Sequence, residues 1–505
     1  MLYHIPYYHE QRHLFLFSKS YFTDTLHSGG LLDYITNFII QFFYYPWSGS
    51  LLLALLLASV YGLVACSARR IAGNIDSLHL GLIPVVYLFT QTLSVDYKIS
   101  EIVALLLSLS VITLSVTIIS GRLKYLVAVA GCLTLMTFIH WGVVAAAAVT
   151  IAISAISAYY LRNIKNRQSL IITCLTMIIY TGSGYYFFTE KFKVEEMYMT
   201  ITKKNVNENK WDEIASFTER YFASGRKNIL MLYYYNMALF HTNRLGDDMF
   251  NVPQTIGNIA LCFTWRSNSR DTEYGYDAYY ELGHWNAAQR WAFEAMVVWG
   301  ETAWCLNSLA ECNIKIGRKA VAQKYINVLK QSLFYRKMAK ELEKEIESIT
   351  DEQETSEKVY FSGKDDVLWD LELLCRHDPN NRMAFEYFMS ALLLNNCVLD
   401  FAQNLHKIKA FDYKKMPRIY DEALLICKIM EKDEFDKLGL NVNPETEIRF
   451  QRYHELFQQK NMPALKREFG NSYWYYIHFV NPNGSDLLRQ QKYTGLDIVQ
   501  GGLEH

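Results

Sequence analysis

The sequence predicts an all-α chain in two parts: a polytopic transmembrane helical bundle followed by an α-solenoid of helix pairs. Three observations predict it. Residues 31–189 are mostly apolar with few charges, whereas residues 190–500 are rich in Lys, Glu, Asp, Tyr and Trp; such a step separates a membrane part from a soluble part. Cations are distributed unevenly between the apolar runs, and the polar part repeats at an offset of 34 residues. At 505 residues the chain is too long for one ordinary core. A net charge of -1 with no dominant Lys/Arg stripe argues against nucleic acid as a partner, because nothing would drive counterion release.

Residues 1–48 form the first element, an extracytoplasmic segment. Within it Leu32, Ile35, Phe38, Ile39, Phe42 and Phe43 recur at helical spacing among Asp33, Asn37 and Gln41, which predicts a helix over 31–45 lying at the membrane surface and stopped by Pro46. Tyr44, Tyr45 and Trp47 suit the aromatic belt.

The membrane domain, 49–189, holds six apolar runs: 49–67, 78–95, 100–119, 124–140, 142–161 and 169–188. Each approaches the roughly 20 helical residues that cross a hydrocarbon core. Pro84 kinks or starts its helix, and His140 sits at an interface between two tightly joined spans. Ala145 to Ala148, Ser154 and Ser157 read as small residues for close helix packing. Arg69, Arg70, Arg122, Lys124, Arg162, Lys165 and Arg167 follow the first, third and fifth runs, while the other loops carry Lys98 alone. That bias turns those three loops to the cytoplasm and the C-terminal part outward. An exported start then calls for a seventh span upstream of residue 1.

In the polar domain, 190–500, "YYELGHWNAAQRWAFEAM" aligns with "ECNIKIGRKAVAQKYINVL" so that Gly283 meets Gly317, Ala288 meets Ala322 and Trp291 meets Tyr325. This resembles tetratricopeptide repeats. Gly283 and Gly317 would end the first helix of a pair, Ala288 and Ala322 would lie where paired helices touch, and Ala295 would admit the next repeat. Looser helix-pair candidates lie at 211–241, 378–393, 420–430 and 445–469. Residues 344–360 read as a solvated helix end and linker, and 251–270 as an insertion. The many aromatics read as core. There are nine cysteines and no C-x-x-C; most read as small buried hydrophobes, and Cys305 and Cys312 are two helical turns apart, about 10 Å, beyond disulfide reach. Residues 501–505 read as a vector scar before a polyhistidine tag, so His505 has no chemical role.

The run "YYHEQRHLFLF" carries the candidate chemistry. HExxH offers two zinc-binding histidines, His9 and His13, with Glu10 as general base. Against this, no third ligand is evident, and Arg12 places a cation between the ligands. Leu14-Phe15 and Leu16-Phe17 are expected to anchor the segment at the membrane. The series "YHEQ..LFLF", then "GGLLDYI..FI.QFFYYPWSG", short spans and a repeat-bearing tail resembles an uncharacterised family of polytopic membrane proteins from Bacteroidota. That resemblance implies a transmembrane helix ahead of HEQ, a His13 position free to vary, and no established activity.

An acidic residue in an extracytoplasmic loop with surface helices also resembles the layout of glycosyltransferases that use lipid-linked sugars. That layout implies Glu10 as catalytic carboxylate, with His9 and Asp33 as helpers. The leading reading is an inner-membrane protein whose periplasmic repeat domain binds protein or peptide partners in envelope assembly, with membrane lipid around its spans. The alternatives are a glycosyltransferase taking a lipid-linked sugar and a zinc peptidase. No cofactor is expected for the leading reading, and a divalent metal under either alternative.

Overall fold

The computed structural model describes residues 3–28, 30–164, 166–264, 272–348 and 366–480, and every regular element among them is helical. The tag-like end at 501–505, the linker from 349 onward and the polar tail of the insertion from 265 lie outside the described residues. The chain divides into two compact units. One comprises Met1–Thr200, Glu301–Leu306 and Ile326–Glu341, the other Ile201–Gly300, Asn307–Tyr325 and Leu342–His505.

The first unit opens with α1 (His4–Arg12), α2 (Lys19–Ser28) and α3 (Gly30–Ile40). A 3-10 turn over Gln41–Tyr44 follows, and Pro46 starts α4 (Pro46–Ala72) at a position where its missing N–H costs nothing. Next come α5 (Leu82–Gln91), α6 (Ile99–Ile118), α7 (Leu123–Leu135), α8 (Trp141–Tyr160) and α9 (Asn166–Lys191). Four of these, α4, α6, α8 and α9, are long and apolar enough to cross a membrane. The runs expected at 78–95 and 124–140 form only the short helices α5 and α7, roughly 15–20 Å long at 1.5 Å per residue. Threonines close both of them: Thr90 donates to the Tyr87 carbonyl, Thr92 to Phe89 and Thr137 to Thr134, so hydroxyls occupy carbonyls at the helix ends.

The core of this unit lies along α6. Ile102, Leu105, Leu109, Ile112 and Val116 pack with Leu57, Val60 and Val64 of α4 and with Ala147 and Ile151 of α8. Ile40 and Phe43 join that core, so the segment expected at the membrane surface also contributes to the interior.

Polar contacts tie the ends of the helices together. Ser67 and Thr113 hydroxyls meet at 2.8 Å, joining the last turns of α4 and α6. In the loop after α4, the buried Asp76 carboxylate accepts from Ser154 and Ser157 of α8, both at 2.7 Å, and from the Leu78 and Leu80 amides. The two serines are therefore carboxylate donors as well as small residues. Arg69 and Arg70 stand at this same end.

In the second unit one turn recurs six times among the described residues. Asn209, Asn243, Gly283, Gly317, Asn396 and Lys460 all have φ between 53° and 87°. Each amide bonds back to the carbonyl three residues earlier, and the next amide to one five earlier, as Gly283→Tyr280 at 3.0 Å and His284→Tyr279 at 2.9 Å. This is the Schellman arrangement, which satisfies the last carbonyls of a helix. Two residues after each turn a new helix starts, at Trp211, Leu245, Trp285, Lys319, Val398 and Met462. Ala288, Ala295 and Ala322 are fully buried. The helices Ile229–His241 and Arg382–Leu394 are enclosed on nearly all faces, which accounts for their aromatic content: Tyr233, Tyr235 and Tyr387 are core residues. All nine cysteines are free, and Cys305 and Cys312 are buried.

Candidate functional site

Helix α1 contains His9, Glu10, Gln11 and Arg12 and stops there; His13 is its extended C-cap, φ -128° and ψ 128°. The HExxH run is therefore not wholly helical. The His13 amide caps the Glu10 carbonyl, and its Nδ1 lies 2.7 Å from the His9 carbonyl oxygen. The two imidazole centroids are 6.2 Å apart. After His13 the chain turns inward, where Leu14, Phe15 and Leu16 are buried. Phe15 packs against Phe17, Tyr21, Tyr34 and Phe38, with centroids 5.1–5.4 Å away. Most of the expected membrane anchor is thus internal packing, because this aromatic pocket from α2 and α3 receives it; only Phe17 remains exposed.

Glu10 is buried, 4% exposed. The Tyr335 hydroxyl donates to one carboxylate oxygen and Gln11 Nε2 to the other at 2.7 Å. Tyr335 belongs to the stretch Ile326–Glu341 that is part of this unit. Its position is built locally: the Tyr335 amide donates to Ser332 Oγ at 3.2 Å, and that hydroxyl donates to the Leu329 carbonyl at 2.7 Å. Neighbouring Phe334 stacks on Tyr44 at 5.0 Å with planes 7° apart and meets Tyr45 and Phe42 edge-on. The Phe17 amide donates to the Gln331 carbonyl at 2.9 Å.

Burial dominates the electrostatics. It pushes the Glu10 carboxyl up to about 7, against the opposing donors Tyr335 and Gln11. Burial, helped by the neighbouring His13, pushes His9 down to about 3. His9 Nε2 is buried without a hydrogen-bond partner among the described residues. His13 is also lowered by burial, while Asp33 on α3 acts on it in the opposite sense.

The structure therefore brings His9, Glu10 and His13 together and leaves Asp33, half-buried, beside His13. Among the described residues no group of three or more His, Cys, Asp and Glu converges as a metal-ion site. Chemically, the arrangement can hold or release one proton at a carboxyl near neutrality, next to a neutral imidazole with one idle nitrogen. Tyr335 is the residue that sequence reasoning missed. It lies 325 positions from Glu10, in an ordinary-looking "SLFYRK" run with no spacing to mark it.

The family described as "Family of unknown function (DUF6057)" matches residues 1–203 and again residues 186–480. No curated protein and no solved structure matches the chain.

Proposed function

The chain belongs to this family of unknown function, and from that premise we propose a multi-pass protein of the bacterial inner membrane. Its C-terminal unit, a tetratricopeptide-like solenoid, stands in the periplasm and binds protein or peptide partners in envelope assembly. The observation that carries this reading is the sixfold turn. Asn209 to Asn243 and Gly283 to Gly317 keep the same 34-residue offset, and at each turn one helix ends and its partner begins. Helix pairs repeated in this way bury their apolar faces by stacking, and stacked pairs leave extended surfaces suited to peptides. Orientation rests on the cation asymmetry, which the Asp76–Ser154–Ser157 contacts support by holding the Arg69 loop against the end of α8.

Two measurements test it. An alkaline phosphatase fused after residue 200 is expected to be active, and activity only of a cytoplasmic reporter at that site overturns the orientation. Photocrosslinkers placed at the exposed Trp285, Phe293 and Val297 of the full chain are expected to give one discrete adduct from at least two positions.

A second reading, a glycosyltransferase using a lipid-linked sugar, is favoured by the proton affinity of Glu10 near 7, suited to general acid–base work. An E10Q chain with altered envelope glycans and no adduct at any of the three positions would replace the first reading with this one.

A further inference from the structure

At the arginine-bearing end of the first unit lies a cavity of about 670 Å³, within the range of small-ligand sites. Tyr61, Arg69, Arg70, Asp76, His79 and Ser154 line it. The geometry points to a binding site for a monoanionic phosphodiester, the headgroup of an anionic membrane lipid such as phosphatidylglycerol.

Charge is the first argument. Arg69 and Arg70 are exposed and make no ion pair among the described residues, and a guanidinium cannot discharge itself by losing a proton. The one carboxylate in the cavity, Asp76, is already engaged. Ser154, Ser157, Leu78 and Leu80 supply four donors at 2.7–3.1 Å, two to each oxygen, so its lone pairs are occupied by the fold. Two guanidiniums and one carboxylate among the lining residues leave a surplus of one positive charge, which one phosphodiester would neutralise.

Preorganisation is the second. His79 is held at both ring nitrogens, by the Tyr61 hydroxyl at 2.7 Å and the Thr173 hydroxyl at 3.3 Å, and sits in a left-handed backbone conformation with φ 48°. Asp76 pins the loop between α4 and α5 onto α8, so the cavity walls come from elements already joined. Arginine adds paired donors in a planar fork, which matches phosphate oxygens.

Location selects the lipid over a free ion. Arg69 and Arg70 stand in the last turn of the long apolar α4, at the depth where a span meets the headgroups, and a basic pocket between spans there is suited to a lipid phosphate. Ala65 and Cys66, one turn deeper in the same helix, also line the cavity and would receive the diacylglycerol end. The inference uses the first unit alone and stands independently of what the second unit binds.

The test uses the purified full-length chain in neutral detergent, with lipid binding counted by native mass spectrometry and thermal unfolding followed in parallel. Phosphatidylglycerol is expected to bind saturably and raise the unfolding temperature, whereas phosphatidylcholine and inorganic phosphate do neither. R69Q/R70Q should weaken phosphatidylglycerol binding roughly thirtyfold, at about one factor of five per lost cation. R69K/R70K, which keeps the charge, should stay within a few-fold of the native chain. R122Q/K124Q, which removes the same charge from another loop, should bind as the native chain does. Equal loss in R122Q/K124Q, or no loss in R69Q/R70Q, overturns the site. A response to inorganic phosphate equal to that of the lipid overturns the headgroup assignment. If R69Q/R70Q does not fold, the single variants carry the test, each with about a fivefold loss expected.

Discussion

The hydroxyl of Tyr335 donates to the carboxylate of Glu10 across 325 residues of chain, and both groups are buried. This bond and the Phe334 ring on Tyr44 fasten the stretch Ile326–Glu341 to α1 and to the turn before α4. Removing the hydroxyl in Y335F leaves Glu10 with Gln11 as its donor. The expected cost is about 1–3 kcal/mol of stability in the first unit. The Glu10 carboxyl should also titrate higher still, because the lost bond favours its ionised form. A double-mutant cycle with E10Q measures the coupling, and additive effects would refute it.

Glu10 and His9 make the same unit respond to pH in opposite directions. Glu10, raised from 4.5 to about 7, stabilises the fold fully below pH 4.5, and that contribution is lost as pH rises through 7. His9, lowered from 6.5 to about 3, contributes fully above pH 6.5 and loses it as pH falls through 3. Between 4.5 and 6.5 the slopes oppose and nearly cancel. In E10Q stability should rise with pH across this window, and in H9N it should fall, each by roughly 2–3 kcal/mol. Unfolding temperatures in micelles at several pH values check this, and parallel profiles for the three proteins would contradict it.

Phe334 has three aromatic neighbours and is half-buried. F334A should cost about 2 kcal/mol, less than a fully enclosed ring because part of its surface stays in contact with solvent. F334L should recover most of that. Chemical denaturation of the first-unit signal, read through a tryptophan-free probe near Tyr44, distinguishes the two.

Gly275 lies in the helix Thr272–Glu281, where alanine would ordinarily be favoured by roughly 1 kcal/mol. An added Cβ would stand 2.4 Å from Cδ2 of Trp291, whose ring is itself buried. G275A is therefore expected to destabilise by about 1–3 kcal/mol in spite of propensity. An unfolding midpoint equal to or above that of the native chain would show that Trp291 can move aside.

Glu422 is fully buried and receives Arg418 at 2.9 Å, Arg449 at 3.0 Å and the Tyr473 amide at 2.8 Å. E422A leaves two guanidiniums and an amide without their acceptor, at an expected cost of about 3–5 kcal/mol. E422Q, which keeps two acceptor lone pairs, should cost less. Thermal unfolding of both variants ranks them.

Composition made the long apolar helices α4, α6, α8 and α9 legible, because hydrocarbon selects its own residues over long windows. Helical periodicity did the same for α3, but not for its end: the helix stops at Ile40, a 3-10 turn follows, and Pro46 begins α4 rather than stopping α3. The recurring turn was legible at Gly283 and Gly317, where a glycine marks the left-handed conformation. It was not legible at Asn209, Asn243, Asn396 and Lys460, where non-glycine residues take the same conformation. Asparagine does so readily, lysine at a strain that only the surrounding helices justify. The site was half legible. His9, Glu10 and His13 are near neighbours in sequence, whereas Tyr335 and the four donors of Asp76 depend on contacts that no local pattern encodes. The shortness of α5 and α7 was hidden for a related reason: their flanking turns are as apolar as the helices.

The first unit takes in Glu301–Leu306 and Ile326–Glu341 as well as the chain up to Thr200. A ribosome making this protein therefore releases the apolar helices well before it has made Tyr335. At usual synthesis rates that interval is on the order of ten seconds. Throughout it Glu10 lacks its partner and the Tyr44 face lacks Phe334, so a chaperone or insertase has that long to attend the nascent chain. The closing of the first unit marks that translation has passed residue 335.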